Sequence, residues 1–156
     1  MSTFDYHTAF ARNIGWVTPQ EQATLRSSRV AIAGLGGVGG SHLLTLTRLG
    51  IGAFNISDLD QFELANFNRQ AGAFGSTLGH QKLDVLAGMA RDINPLLDIR
   101  QFPEGISEEN VHGFLAEADL YLDGLDFFAI KPRRAVFAAC SELAIPAVTA
   151  APLGMG

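Results

Sequence analysis

Between residues 58 and 82 the chain concentrates side chains that handle phosphate: Asp58-Leu59-Asp60, then Asn66-Phe67-Asn68-Arg69-Gln70, then Gly79-His80-Gln81-Lys82. Arg69 offers a planar fork of donors and Lys82 a compact point charge. A pyrophosphate resting on a helix terminus needs little cationic help. A triphosphate undergoing displacement needs cations on its β- and γ-phosphates. Asn66 and Arg69 stand three apart, so one helical turn directs both toward the same spot. A solvated loop with unrelated polar residues is the other reading of the cluster.

Upstream, residues 29 to 34 read as a buried strand that runs into Gly34-Leu35-Gly36-Gly37-Val38-Gly39 and then into a helical pattern. Glycines at 34, 36 and 39 permit a tight turn, close backbone approach to phosphate, and close helix packing. Phosphate would sit on the free N–H groups of the helix that starts near Val38. Asp58 follows at the end of the next apolar segment, where the fingerprint places an acid that accepts hydrogen bonds from ribose hydroxyls. This much suits an NAD(P)-binding oxidoreductase domain as well as an ATP site, but the former gives Arg69 and Lys82 no task.

The elements that must carry these residues alternate. Thr18-Pro19-Gln20-Glu21 reads as a capping box opening a short helix toward Arg26. Strand 29 to 34, helix 38 to 49, strand 53 to 58, a loop, helix 80 to 91 and strand 97 to 102 follow, Pro95 ending that helix. A short helix begins at Ser107, then come strand 119 to 123, helix 132 to 143 and strand 147 to 150. The alternation predicts an α/β fold: a Rossmann-like, doubly wound, mainly parallel sheet. Residues 1–28 form an N-terminal helical segment and 29–156 the nucleotide-binding domain. The tail Ala151-Pro152-Leu153-Gly154-Met155-Gly156 supplies no covering helix for the last strand, so the sheet reads as incomplete at its C-terminus. The expectation is an N-terminal portion of a longer product, or a sheet that a partner completes.

The chain has 156 residues, enough for one domain with a real core. Hydrophobic residues make up 47% and charged residues 17%, a lean surface that hints at a buried partner face. The net charge of −5 argues against a general nucleic-acid binder. Cys140, the single cysteine, reads as a packing residue in a helix. The four histidines lack paired spacing for a metal site. No run is long enough for a membrane span and no signal segment is apparent, so the cytoplasm is the default compartment.

Five motifs in order resemble the E1-like, or ThiF/MoeB/HesA, superfamily of ATP-dependent adenylating enzymes. They are Gly34 to Gly39 as G-x-G-G-x-G, Asp58-Leu59-Asp60, Asn66 to Gln70 as N-x-x-R-Q, Gly79 to Lys82 as G-x-x-K, and Asp123-Gly124-Leu125-Asp126. Ile93-Asn94-Pro95 matches a further family turn, and the resemblance runs from about Phe10 to Gly156. It implies ATP and Mg2+ as cofactors and adenylation of a carboxylate, on a ubiquitin-like carrier protein, a peptide or a small molecule. It implies a homodimer whose N-terminal arginine, Arg12 here, reaches the neighbouring protomer's site. Gly34, Gly36, Gly37, Gly39, Asp58, Asp60, Asn66 and Gln70 would bind the nucleotide, Gln70 orienting its neighbours. Arg69, Lys82 and Arg12 would stabilise the reacting phosphate, and Asp126 would hold magnesium. Asp123 reads as a strand-end residue supporting that site. A non-catalytic scaffold, or half of a heterodimeric activator, is the third reading.

Two departures stand out. Many relatives have Asn after the second aspartate, whereas this chain has Phe127-Phe128, read here as a packing pair rather than a channel wall. The family's catalytic cysteine and zinc-binding Cys pairs would lie beyond Gly156, and no zinc site is visible. Lys131-Pro132-Arg133-Arg134 reads as a solvated helix start, and the phenylalanines from Phe54 to Phe74 as core and dimer contact.

Overall fold

The computed structural model describes residues 4–150. Its framework is a five-stranded, all-parallel sheet in the order β3-β2-β1-β4-β5. The strands are β1 (Arg29–Ala33), β2 (Ala53–Ser57), β3 (Asp98–Phe102), β4 (Leu120–Asp123) and β5 (Ala147–Thr149). β1 is buried along its whole length, as an apolar run covered on both faces should be. The winding goes outward from β1 through β2 to β3, then returns to the other side of β1 for β4 and β5. Its direction therefore reverses between β1 and β4, and in such sheets a crevice opens at that point beyond the carboxyl ends of the strands.

Helices cover both faces. On one, α3 (Gly37–Leu49) and α4 (Lys82–Ile93) pack Leu43, Leu83, Leu86 and Ala90 against Val30, Ile32, Phe54 and Ile56. On the other, α5 (Val111–Phe114) and α6 (Ile130–Glu142) pack Phe114, Val136 and Cys140 against Ala31, Ala33 and Tyr121. Cys140 is a packing residue as expected, and burial pushes its thiol pKa up. A polar tie crosses this interior: Asn55 donates to the carbonyls of Phe114 (2.7 Å) and Ala116 (3.0 Å) and accepts from Arg29 Nη1 (2.9 Å). Arg29 is also paired with Asp98.

The N-terminal segment contains α1 (Tyr6–Ala9), a single 3-10 turn at Ala11–Asn13, and α2 (Pro19–Ser27). The Thr18 hydroxyl accepts from the Glu21 N–H and the Glu21 carboxylate accepts from the Thr18 N–H, so the capping box is formed in full. The segment closes the far end of α3. Tyr6 Oη donates to the Gly50 carbonyl, while Asn13 and Gln22 donate to that of Leu49.

Several boundaries differ from those read in the sequence. The second strand stops at Ser57, because Asp58 turns its carboxylate onto backbone N–H groups. α4 starts at Lys82 and not at residue 80, since Gly79 (φ +80°) and His80 close a turn in which Phe62 N–H donates to the His80 carbonyl. The helix placed at Ser107 starts at Val111, because the Asn110 side chain accepts from the Ser107 N–H and ties off the preceding loop. α6 begins at Ile130, two residues early. β5 ends at Thr149 and lies at the sheet edge among the described residues, with Val148 51% exposed. The tail from Ala151 to Gly156 lies outside the described residues. No described helix is long and apolar enough to cross a membrane.

Candidate active site

The crevice at the β1/β4 reversal is a cavity of about 1060 Å³. β1 delivers the glycine loop to it and β4 delivers Asp123-Gly124-Leu125-Asp126. Three glycines make that convergence possible. Gly34 adopts φ +82°, and a Cβ there would overlap the Gly124 carbonyl; a Cβ on Gly39 would overlap the Gly34 carbonyl, and one on Gly124 would lie 2.9 Å from Gly39 Cα. The ends of β1 and β4 therefore touch backbone to backbone. Gly124, a member of the Asp123-to-Asp126 motif with no role assigned from sequence, is part of the same contact.

Gly36 caps α3 without any side-chain hydrogen bond. The first-turn N–H groups of α3 thus face the cavity with no intrahelical acceptor, an arrangement suited to an anion. Gly34, Gly36 and Gly37 line the cavity; Gly39 lies behind it and serves packing.

Asp58 binds the loop to β2. Its Oδ2 accepts from the Leu35 N–H (2.6 Å) and its Oδ1 from the Asp60 N–H (2.7 Å). Lys82 is 5% exposed, and its ammonium pairs with Asp60 Oδ2 at 3.0 Å, a necessary counterion for a buried cation. Asn66 is buried in the loop, where its Oδ1 accepts from the Glu63 N–H (2.9 Å). Arg69 lays its stem over Gly37 and folds its guanidinium onto the Ala65 carbonyl (2.8 Å) and Asn68 Oδ1 (2.9 Å). The turn at Leu64–Asn66 is 3-10, so Asn66 points inward while Arg69 stays at the surface, yet both line the cavity. Gln70 lines the cavity, and its Oε1, closed off from solvent, has no hydrogen-bond partner among the described residues.

On the β4 side, Asp123 is 3% exposed and fully engaged. It accepts from Tyr121 Oη (3.1 Å), Leu125 N–H (3.3 Å), Arg133 Nε (2.7 Å) and Thr149 Oγ1 (3.0 Å). Burial, reinforced by the Asp123 charge, pushes the Tyr121 pKa up, so its hydroxyl remains a donor. Asp126 is exposed to the cavity, with Oδ1 accepting from the Phe128 N–H (3.0 Å).

Two sequence readings need correction here. Phe127 and Phe128 do not pack into the core: they meet edge to face with ring centroids 5.4 Å apart, are 73% and 83% exposed, and form part of the cavity wall, because the loop before α6 holds them away from the sheet. Arg133 is no solvated helix-start residue but the clamp on Asp123, its basic run having hidden it. The Phe54-to-Phe74 stretch divides, Phe54 and Phe62 being core and Phe67 and Phe74 surface.

Arg12 lies on the exposed 3-10 turn beside the far end of α3. A helix of 13 residues is about 20 Å long, so Arg12 stands remote from its own chain's cavity. No three His, Cys, Asp or Glu side chains among the described residues are grouped to hold a metal.

Comparison with known proteins agrees with this geometry. The chain is 32% identical over 133 residues to the tRNA threonylcarbamoyladenosine dehydratase of Haemophilus influenzae, covering 85% of this chain and 50% of that protein. It is 31% identical to the molybdopterin-synthase adenylyltransferase of Escherichia coli, covering 86% and 53% respectively. The crystal structure of E. coli tRNA N6-threonylcarbamoyladenosine dehydratase in complex with ATP matches with a TM-score of 0.88 and 26% identity, over 96% of this chain and 61% of that one. The chain spans about half the length of the curated relatives it matches. The model of the ThiF family matches residues 10–156, and with the glycine loop, the Arg69/Lys82 pair and the Asp123-to-Asp126 loop meeting in one crevice, the chain belongs to that family.

Proposed function

We propose that this chain binds ATP in the β1/β4 crevice and transfers its adenylyl group to a carboxylate. The observation that carries the reading is the assembly of Asp58, Arg69, Lys82 and Asp126 around one cavity that opens on the bare N-terminus of α3. The carboxylate oxygen attacks the α-phosphorus, the bond from that phosphorus to the bridging oxygen breaks, and pyrophosphate leaves with its electron pair. The product is an acyl-adenylate. The chain's own contribution is positioning and charge neutralisation.

In this reading the N–H groups at the start of α3 hold phosphate, Asp58 accepts from ribose hydroxyls with its remaining lone pairs, and Gln70 orients its neighbours in the cavity wall. Lys82, Arg69 and Asn66 face the phosphates. Asp126 suits Mg2+, which favours one or two carboxylates together with phosphate oxygens and water; when bound there, the ion would neutralise phosphate charge. Arg12 acts on the cavity of a partner protomer in a homodimer, a role its distance from its own cavity leaves open. The net charge of −5 favours a carrier-protein or peptide C-terminus, or a small acid, over nucleic acid as the acyl donor. The cytoplasm, which supplies ATP, is the compartment this chemistry needs.

Arg69→Ala or Asp126→Ala should abolish carboxylate-dependent ATP–pyrophosphate exchange, assayed with a panel of carrier C-terminal peptides and small acids. Normal exchange in either variant defeats the assignment. Titration of the chain with MgATP and with NAD separates it from a nicotinamide-binding domain. ATP binding without exchange on any carboxylate would favour a non-catalytic scaffold.

A further inference from the structure

Arg133 makes four hydrogen bonds, one to the last residue of β4 and three to the short loop that follows it. Its Nε donates to Asp123 Oδ2 (2.7 Å), Nη2 to the carbonyls of Leu125 (2.7 Å) and Asp126 (3.1 Å), and Nη1 to that of Phe127 (3.2 Å). The anchor of this clamp is rigid, since Asp123 is buried at the end of β4 and is also held by Tyr121 and Thr149. The object it holds has only local ties besides: the Asp126 carbonyl accepts from the Ala129 N–H (2.9 Å) and the Phe128 carbonyl from the Ile130 N–H (2.8 Å). Residues 126 to 128 are exposed, and only the Phe128 N–H fixes the Asp126 carboxylate, through Oδ1; Oδ2 accepts no hydrogen bond among the described residues.

We propose that Arg133 is a positioning residue, which sets the direction of the Asp126 carboxylate toward a divalent cation carried in with the nucleotide. This rests on the reading of the crevice as an ATP site. The guanidinium is the one cationic side chain that can do this work, because its planar fork reaches a carboxylate and three carbonyls at once. A lysine at 133 would keep the charge opposite Asp123 but could not span the three carbonyls. Arg133 touches no reacting atom in this role. Groups that orient a metal ligand commonly govern metal affinity by about 10–100-fold.

The test compares nucleotide affinity with and without metal, by titration calorimetry of ATP into the chain in Mg2+ or in EDTA. Arg133→Lys should lose about 10-fold or more of the magnesium-dependent gain in affinity while leaving metal-free ATP binding unchanged. Asp123→Asn, which loosens the clamp at its anchored end, should show the same selective loss. Asp126→Asn should remove the gain, and adding Arg133→Lys to it should cost nothing more. Equal weakening of ATP with and without Mg2+, or additive losses in the double variant, would overturn the positioning role and leave the ATP reading standing. A parent chain that binds no ATP, or an Asp126→Asn variant that keeps the full magnesium gain, would overturn the reading underneath and the proposal with it.

Discussion

Gly34 and Gly36 sit two residues apart in the same loop, and the structure predicts opposite outcomes for the same substitution at the two positions. At Gly34 an alanine would hold φ +82°, a left-handed conformation that costs a side-chain-bearing residue about 1–2 kcal/mol. Its Cβ would also overlap the Gly124 carbonyl and approach Leu125 N to 2.7 Å. That neighbour is backbone fixed by the Gly124 N–H bond to the Ala33 carbonyl (2.9 Å), so it cannot step aside. Overpacking of this kind costs about 1–3 kcal/mol. The expected loss for Gly34→Ala is therefore about 2–5 kcal/mol, a large part of the roughly 5–15 kcal/mol of a typical domain. At Gly36 a Cβ first meets Gln70 Nε2 at 3.7 Å, an ordinary contact, so Gly36→Ala should stay within about 1 kcal/mol of the parent. It should nonetheless weaken ATP binding, because its methyl group occupies the surface that phosphate must approach. Urea unfolding read by circular dichroism measures the first effect and calorimetric titration of ATP the second. A Gly34→Ala chain within 1 kcal/mol of the parent, or a Gly36→Ala chain destabilised as much as Gly34→Ala, would refute the packing argument.

Asn55→Ala strips the buried Phe114 carbonyl and the part-buried Ala116 carbonyl of their donor and the buried Arg29 Nη1 of an acceptor; with about 1–3 kcal/mol for each buried group left unpaired, urea unfolding should show a loss of about 2 kcal/mol or more. The Thr18 N–H and hydroxyl hold the Glu21 carboxyl below its ordinary value of 4.5, so the stabilisation it gives is complete above that pH and disappears as pH falls through the lower folded value. The stability difference between the parent and Glu21→Gln should thus be constant near neutrality and shrink in acid, and a difference unchanged at about pH 3 would contradict it. If Arg12 acts on the partner's cavity, mixing inactive Arg12→Ala and Lys82→Ala chains should restore exchange at about a quarter of sites, since half the dimers are mixed and each has one intact site. No recovery after verified subunit exchange would place Arg12 outside the reaction.

The legible parts of this molecule were those whose signal is local. The Thr18/Glu21 box, the β1 apolar run and the glycine loop each announce themselves within a few residues, and the strand–helix alternation implied a parallel sheet before any pairing was known. Where the reading failed, the cause was a contact from elsewhere in the chain or a side chain bound back onto its own loop. Asp58 ended a strand early by turning to the Leu35 N–H 23 residues away, and Asn110 delayed a helix by capping the wrong end of its loop. Phe127 and Phe128 looked like core because phenylalanine usually is, but whether a pair of rings packs depends on where the loop carries them. Arg133 and Gly124 were missed for a deeper reason. Gly124 matters only because Gly34 and Gly39 lie against it, some 90 residues distant in sequence, and Arg133 matters only because Asp123 is buried within reach of it. A motif identifies the residues that face a ligand, since these share a chemistry. The residues that hold those in place share only a position, and each can be found by asking which donor satisfies a given buried carboxylate. Asked of Asp123, that question leads to Arg133 and from there to the loop that aims Asp126.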